Sequence, residues 1–149
     1  MALIVSDVDI ARPPDEVFSY ATDPSRFGEW QAGVVSGHIE SDGHPGVGST
    51  CIMTRRIGGS ERTSTSEITQ IDPPRTWAVR GIDGPVRADV TVTVTPLGDG
   101  GQSHVTIQLG FRGHGIGKVL VPVVVRQASK EVPQSCQNLK QRLERGENQ

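Results

Sequence analysis

Three observations predict an α+β fold in which a curved, seven-stranded antiparallel sheet closes around one long C-terminal helix. Between Gly46 and Arg112 the chain is almost wholly strand-like and punctuated by glycine. From roughly Gly115 to Arg145 it forms one helix-compatible run. Aromatic residues make up only 4% of the chain, so few large side chains are on hand to fill the space under the sheet. A sheet curved around one helix leaves a cleft between them, and such clefts are where small molecules bind.

Each element follows in order. Residues 3 to 12 open with Leu-Ile-Val and then alternate, with Val8 and Ile10 on one face and Asp7 and Asp9 on the other, the pattern of a half-buried strand. Pro13 and Pro14 stop it. Asp15 and Glu16 then suit the positive end of a short helix that runs to Tyr20 or Ala21 and buries Val17, Phe18 and Ala21. Asp23-Pro24-Ser25 breaks the chain and caps a second short helix over Arg26 to Trp30.

Six further β runs follow, over 34–40, 48–57, 61–71, 75–82, 86–96 and 103–112. They are separated by hairpin-like turns at Ser41-Asp42-Gly43, Gly58-Gly59, Asp72-Pro73-Pro74, Asp83-Gly84-Pro85 and Gly98-Asp99-Gly100-Gly101, so an antiparallel meander is expected. The clearest alternation sets Ala88, Val90, Val92 and Val94 against Asp89, Thr91, Thr93 and Thr95. In the last helix Ile116, Leu120, Val124, Ala128, Val132, Cys136, Leu139 and Leu143 form the stripe expected to face the sheet. Pro122 is expected near the first turn, and a kink or break close to Pro133.

Composition narrows the function classes. A chain of 149 residues and 16.0 kDa fits one domain over 1–149 with a core of its own. Fifteen Lys and Arg against seventeen Asp and Glu give a net charge of −2, which offers no electrostatic reason to bind nucleic acid or an anionic membrane. The longest apolar run, Val119 to Val125, is too short to span a bilayer, so no membrane insertion is expected. The first ten residues lack the basic and apolar regions of a signal peptide, making the cytoplasm the expected compartment. Cys51 and Cys136 match no metal or redox spacing and are expected as buried thiols. No His-Glu or Cys-His cluster suggests a metal, no glycine-rich strand-to-helix turn suggests a nucleotide, and no cofactor is expected. There is no Gly-x-Ser-x-Gly nucleophile elbow.

Several segments carry a family likeness: Arg12-Pro13-Pro14-Asp15-Glu16-Val17-Phe18, Asp23-Pro24, Trp30, Gly46-Val47-Gly48-Ser49, Ile71-Asp72-Pro73-Pro74-Arg75, and Asn138-Leu139-Lys140 with Leu143-Glu144. In this order, over nearly the whole chain, they resemble the polyketide cyclase/dehydrase branch of the START-like, helix-grip (SRPBCC, Bet v 1-like) superfamily. The resemblance implies seven strands wrapped around the C-terminal helix and a cavity entered past the interstrand loops, with Trp30 near its wall. It also implies functions ranging from binding or transport of lipids, hormones and polyketides to cyclisation of aromatic polyketides or assistance to other proteins. Aromatase/cyclases of the family use a cavity arginine and a tyrosine to hold and polarise a poly-β-ketone. Here the only tyrosine, Tyr20, sits in the first helix, and the strand over 61–71 carries Thr, Ser and Gln where that arginine would be sought.

The residues themselves nominate site groups. An aldol-type cyclisation needs an acid or base near a carbonyl carbon and an electrophile near the enolate oxygen. Arg55, Arg80 and Arg87 fall in central strands and would serve as donors to a carboxylate or ketone if turned inward. Glu67, in a strand, and His114, before the last helix, are the candidate bases. Trp30, Met53, Trp77, Phe111, Val121 and Val125 have the size and polarity to line an apolar ligand site. The leading expectation is a carrier, sensor or sequestering protein for a hydrophobic, polyketide- or lipid-like molecule. The alternatives are a cofactor-independent polyketide aromatase/cyclase or dehydratase, and an interaction domain or homodimer that uses Val119 to Val125.

Overall fold

The computed structural model describes residues 3–40, 45–57 and 59–145. The expected turns at Ser41-Asp42-Gly43 and at Gly58 lie outside them. Among the described residues seven strands form one antiparallel sheet: β1 (Leu3–Ile10), β2 (Val34–Glu40), β3 (Thr50–Ile57), β4 (Ser60–Asp72), β5 (Thr76–Gly81), β6 (Val86–Leu97) and β7 (Gln102–Gly113). Their order across the sheet is β1-β7-β6-β5-β4-β3-β2, a meander from β2 to β7 with the N-terminal strand added beside the last. The helices are α1 (Pro14–Ala21), α2 (Phe27–Trp30) and α3 (Gly117–Glu144), and a 3₁₀ turn over Pro24–Arg26 leads into α2. The expected α+β helix-grip architecture is the one observed.

Local chemistry explains these boundaries. Pro14 occupies the first turn of α1, where its missing N–H costs nothing, and Asp15 and Glu16 follow it. The Asp23 carboxylate accepts the Ser25 N–H at 3.1 Å and opens the 3₁₀ turn. Alternation along β6 and β7 buries Val92, Val94, Val105 and Ile107 on the concave side. They join Val8, Ile10, Val17, Phe18, Phe27 and Ile68 in one core.

The grip is asymmetric along α3. Its C-terminal half buries Ala128, Val132, Ser135, Cys136, Leu139 and Leu143, chiefly against β1 and β7. In the N-terminal half only Gly117 is buried. A Cβ there would lie 1.8 Å from the Pro85 carbonyl oxygen, so the helix start rests directly on the β5–β6 connection and only glycine fits.

The expected helix stripe was wrong in its first half. Ile116 and Leu120 face outward, whereas the sheet-facing line runs through Val121, Val125, Ala128, Val132, Cys136, Leu139 and Leu143 at spacings of three and four. A strict every-fourth-residue series advances about 40° per step beyond a full turn. Traced back from Cys136 to Ile116, it walks off the buried face. The helix is also continuous through Pro122 and Pro133, and Pro122 lies beyond the first turn. Both prolines, and Lys118 and Ser129, whose carbonyls they leave without a helical partner, are exposed.

Candidate functional site: a cleft beneath the first half of the long helix

Along β3, Cys51 and Met53 point into the core, and strand alternation puts Arg55 on the same concave face. The Arg55 side chain is hemmed in by protein yet keeps accessible surface, as a group lining an internal cleft does. One guanidinium nitrogen donates to Gln31 Oε1 at 3.3 Å. Burial pulls the Arg55 pKa down, while the nearby Glu131 carboxylate of α3 opposes the shift. The register pairs Cys51 with Ser66, Met53 with Ser64 and Arg55 with Arg62. Directly opposed residues share a face, so half-buried Ser66 adjoins this wall and Ser64 and Arg62, both exposed, continue it toward solvent.

Apolar residues form the other walls. Val90 on β6, Leu109 and Phe111 on β7, and Val121 and Val125 on α3 all lie on inward-facing lines, yet all are only half-buried. These half-buried residues lie beneath the N-terminal half of α3, beyond the point where the helix closes onto β1 and β7, and this stretch is the candidate ligand site.

The nominated residues divide accordingly. Phe111, Val121 and Val125 are half-buried on the inward-facing lines of β7 and α3. Trp30, Met53 and Trp77 are packed in the core, with Phe27 edge-on to both indoles at centroid distances of 5.9 and 6.0 Å. Trp30 Nε1 is buried without a hydrogen-bond partner among the described residues. Its carbonyl accepts from Asn138 Nδ2 at 3.1 Å, and Ser135 Oγ accepts the Ala32 N–H at 3.0 Å, so α3 holds α2 in place.

Of the five candidate catalytic groups, only Arg55 is turned inward. Glu67 pairs with Arg80, and Arg80 with Asp89, in a row of alternating charge across the convex face. Asp89 in turn accepts two bonds from the Arg112 guanidinium, both 2.9 Å. Arg87 lies on that convex side and donates to the Gly84 carbonyl at 3.1 Å. His114 is exposed at the β7–α3 junction, where Arg87 foremost, then slight desolvation and the charges of Arg112 and Lys118, push its pKa down. The structure thus does not gather these five groups around one reacting centre.

Tyr20 is committed outside the cleft. Its hydroxyl donates to Glu29 Oε1 at 2.8 Å, tying α1 to α2. Desolvation first, and then that carboxylate, drive the phenol pKa well above its ordinary value. Cys51 and Cys136 are free, buried thiols, and burial raises Cys51 to about 11. Among the described residues no group of His, Cys, Asp and Glu has metal-binding geometry, and no helix is long and apolar enough to cross a membrane.

Reading the sequence alone missed Arg62, Gln31 and Glu131. The signal for Arg62 lay in hairpin counting, because the short β3–β4 turn sets the register that places it opposite Arg55.

A curved antiparallel sheet gripping one long C-terminal helix defines a START-like protein. The chain belongs to the polyketide cyclase / dehydrase and lipid transport family, whose model matches residues 1–144. An uncharacterized protein of Mycobacterium tuberculosis, Rv1546, is 26% identical over 113 residues, which are 75% of this chain and 79% of that protein. Among solved structures, the ZhuI aromatase/cyclase from Streptomyces sp. R1128 superposes with a TM-score of 0.76 at 16% identity, covering 99% of this chain and 98% of that one. A START superfamily protein from Mycobacterium smegmatis gives 0.76 at 15% identity, with 96% and 97% covered. The di-domain aromatase/cyclase BexL of the BE-7585A biosynthetic pathway gives 0.77 at 17% identity. All of this chain is covered there, but it spans only 48% of BexL. At these identities the superpositions establish the fold.

Proposed function

We propose that this protein binds an amphipathic small molecule, apolar along its length and carrying a carboxylate or polarised carbonyl at one end, and acts as its carrier, sensor or sequestering protein. The observation that carries this reading is Arg55, a desolvated guanidinium on the concave wall with one neutral hydrogen-bond partner and Arg62 opposite it. A buried cation that is incompletely paired is costly, and an anionic or carbonyl oxygen between the two arginines relieves that cost. Phe111, Val121 and Val125 suit the apolar body.

Cyclisation of a poly-β-ketone is the second reading, favoured by one pair: Arg55 to polarise a carbonyl and the neighbouring Glu131 to take a proton. Native mass spectrometry with dodecanoate, dodecanol and an aromatic polyketide panel tests both readings. The expected result is retention of dodecanoate over dodecanol, with a loss of roughly tenfold or more in Arg55→Gln, the scale of a hydrogen bond to a charged group. Equal retention of acid and alcohol overturns the arginine anchor, and no retention of any probe overturns the ligand-binding reading. A polyketide recovered with altered mass or connectivity makes the protein an enzyme.

A further inference from the structure

The outward face of α3 is divided by chemistry. Its first two turns, with the residue before them, present Ile116, Val119, Leu120 and Val123, which are 73%, 74%, 42% and 67% exposed. Their spacing of three, one and three residues sets them in one stripe. The next two turns of the same face carry Arg126, Gln127 and Lys130, all exposed. From Phe111 through Lys130 the chain holds four cations and no carboxylate. Arg112 is engaged by Asp89, whereas Lys118, Arg126 and Lys130 make no ion pair among the described residues. In the adjoining β5–β6 connection Ile82 is also exposed. The one carboxylate there, Asp83, is turned back to accept the Thr65 N–H at 2.8 Å.

We infer that this face docks on an anionic lipid surface, with Ile116, Val119, Leu120 and Val123 sunk to the headgroup–acyl boundary and Arg126 and Lys130 at the level of the phosphates. An amphipathic helix with a basic polar face lies in an interface in this way. The net charge of −2 conceals the property because the acidic residues lie elsewhere in the chain. A second copy of the chain fits the face poorly. A two-fold contact sets the same patch against itself, so every charge the segment brings to the contact is positive and none compensates another. A protein groove fits less well too, because the apolar ridge is wholly aliphatic, without the Trp and Tyr anchors common in protein interfaces. The inference stands apart from ligand binding at Arg55.

Flotation with vesicles of phosphatidylcholine alone, and of phosphatidylcholine mixed with phosphatidylglycerol, tests it on the full chain without added ligand. The expected result is co-flotation with the anionic vesicles only. Removing each cation, in Arg126→Gln and Lys130→Gln, should weaken binding by roughly fivefold. The double variant Val119→Ser/Val123→Ser should abolish it while leaving the thermal midpoint in place, since both side chains are already exposed. Three results overturn the inference: no binding to either vesicle, equal binding to both, or a concentration-dependent dimer that the double variant dissolves, which assigns the face to a second copy.

Discussion

Arg12 caps the far end of the longest helix. Its Nε donates to the Leu143 carbonyl at 2.9 Å and a terminal nitrogen to the Glu144 carbonyl at 3.2 Å, so the end of β1 satisfies acceptors that α3 leaves unpaired. Around that bond the Ala11 N–H donates to Glu144 Oε2 at 2.8 Å and Lys140 Nζ to the Asp9 carbonyl at 2.8 Å. Ser103 Oγ donates to the Arg12 carbonyl at 2.8 Å, which fastens the junction to β7.

Replacing Arg12 with Met keeps much of the apolar stem but removes the donors. Stability should fall by about 1.5 to 3 kcal/mol, the range for hydrogen bonds to a charged group. Urea unfolding checks this, and a midpoint equal to that of the native chain would show that water caps the helix equally well.

Leu139 and Leu120 separate the two faces of α3. Leu139 is fully buried, so Leu139→Ala should cost about 2 to 5 kcal/mol. Leu120→Ala, on the outward stripe, should change stability by less than about 1 kcal/mol. Similar losses in the two variants would mean that α3 is rotated about its axis.

Trp30 has a structural role larger than its place near the cleft suggests. It is buried between Phe27 and the residues that anchor α2 to α3, so Trp30→Ala should destabilise the fold by about 3 to 5 kcal/mol. Thermal and urea unfolding would reveal it, and a loss of ligand binding with full stability would return Trp30 to the cleft wall.

His104 sits between Asp7 and Asp9, and its pKa is raised, chiefly by the hydrogen bond with Asp9. A folded-state pKa above the unfolded one means that the imidazolium stabilises the fold fully below the unfolded value. That contribution disappears as pH rises through the folded value. The stability difference between the native chain and His104→Gln should therefore shrink from about pH 5 to about pH 9. A difference that stays flat or grows with pH would show that the aspartates do not hold the proton.

How much could be read in advance varied with the kind of signal. The paired alternation of Ala88 to Val94 against Asp89 to Thr95 specified two faces of β6, and the Pro and Gly breaks located the hairpins, because both depend on nearest neighbours alone. Carrying the same alternation back two residues would have put Arg87 with Asp89 on the polar face. Arg55 could have been read inward from Cys51 and Met53, four and two residues before it. Glu67 was harder: a register shift between Ile68 and Gln70 inserts an extra residue in β4, so counting along that strand from the β4–β5 turn gives the wrong face. The rotation of α3 was not legible in a run of valines, where nearly every spacing is apolar. Only the sheet below selects Val121 and Val125 over Leu120 and Val123.

The unequal anchoring of α3 divides one helix into two thermodynamic regimes. From Ala128 onward its backbone amides should open to exchange only with the whole molecule, because β1, β7 and the β1–α1 connection secure that end. The first turns rest on Pro85 through a glycine contact and have no side-chain cap, so they can open sub-globally at lower free energy. A guest could then pass beneath those turns while the seven strands keep every one of their pairings, and the rate of its entry would be governed by the helix start rather than by the stability of the domain.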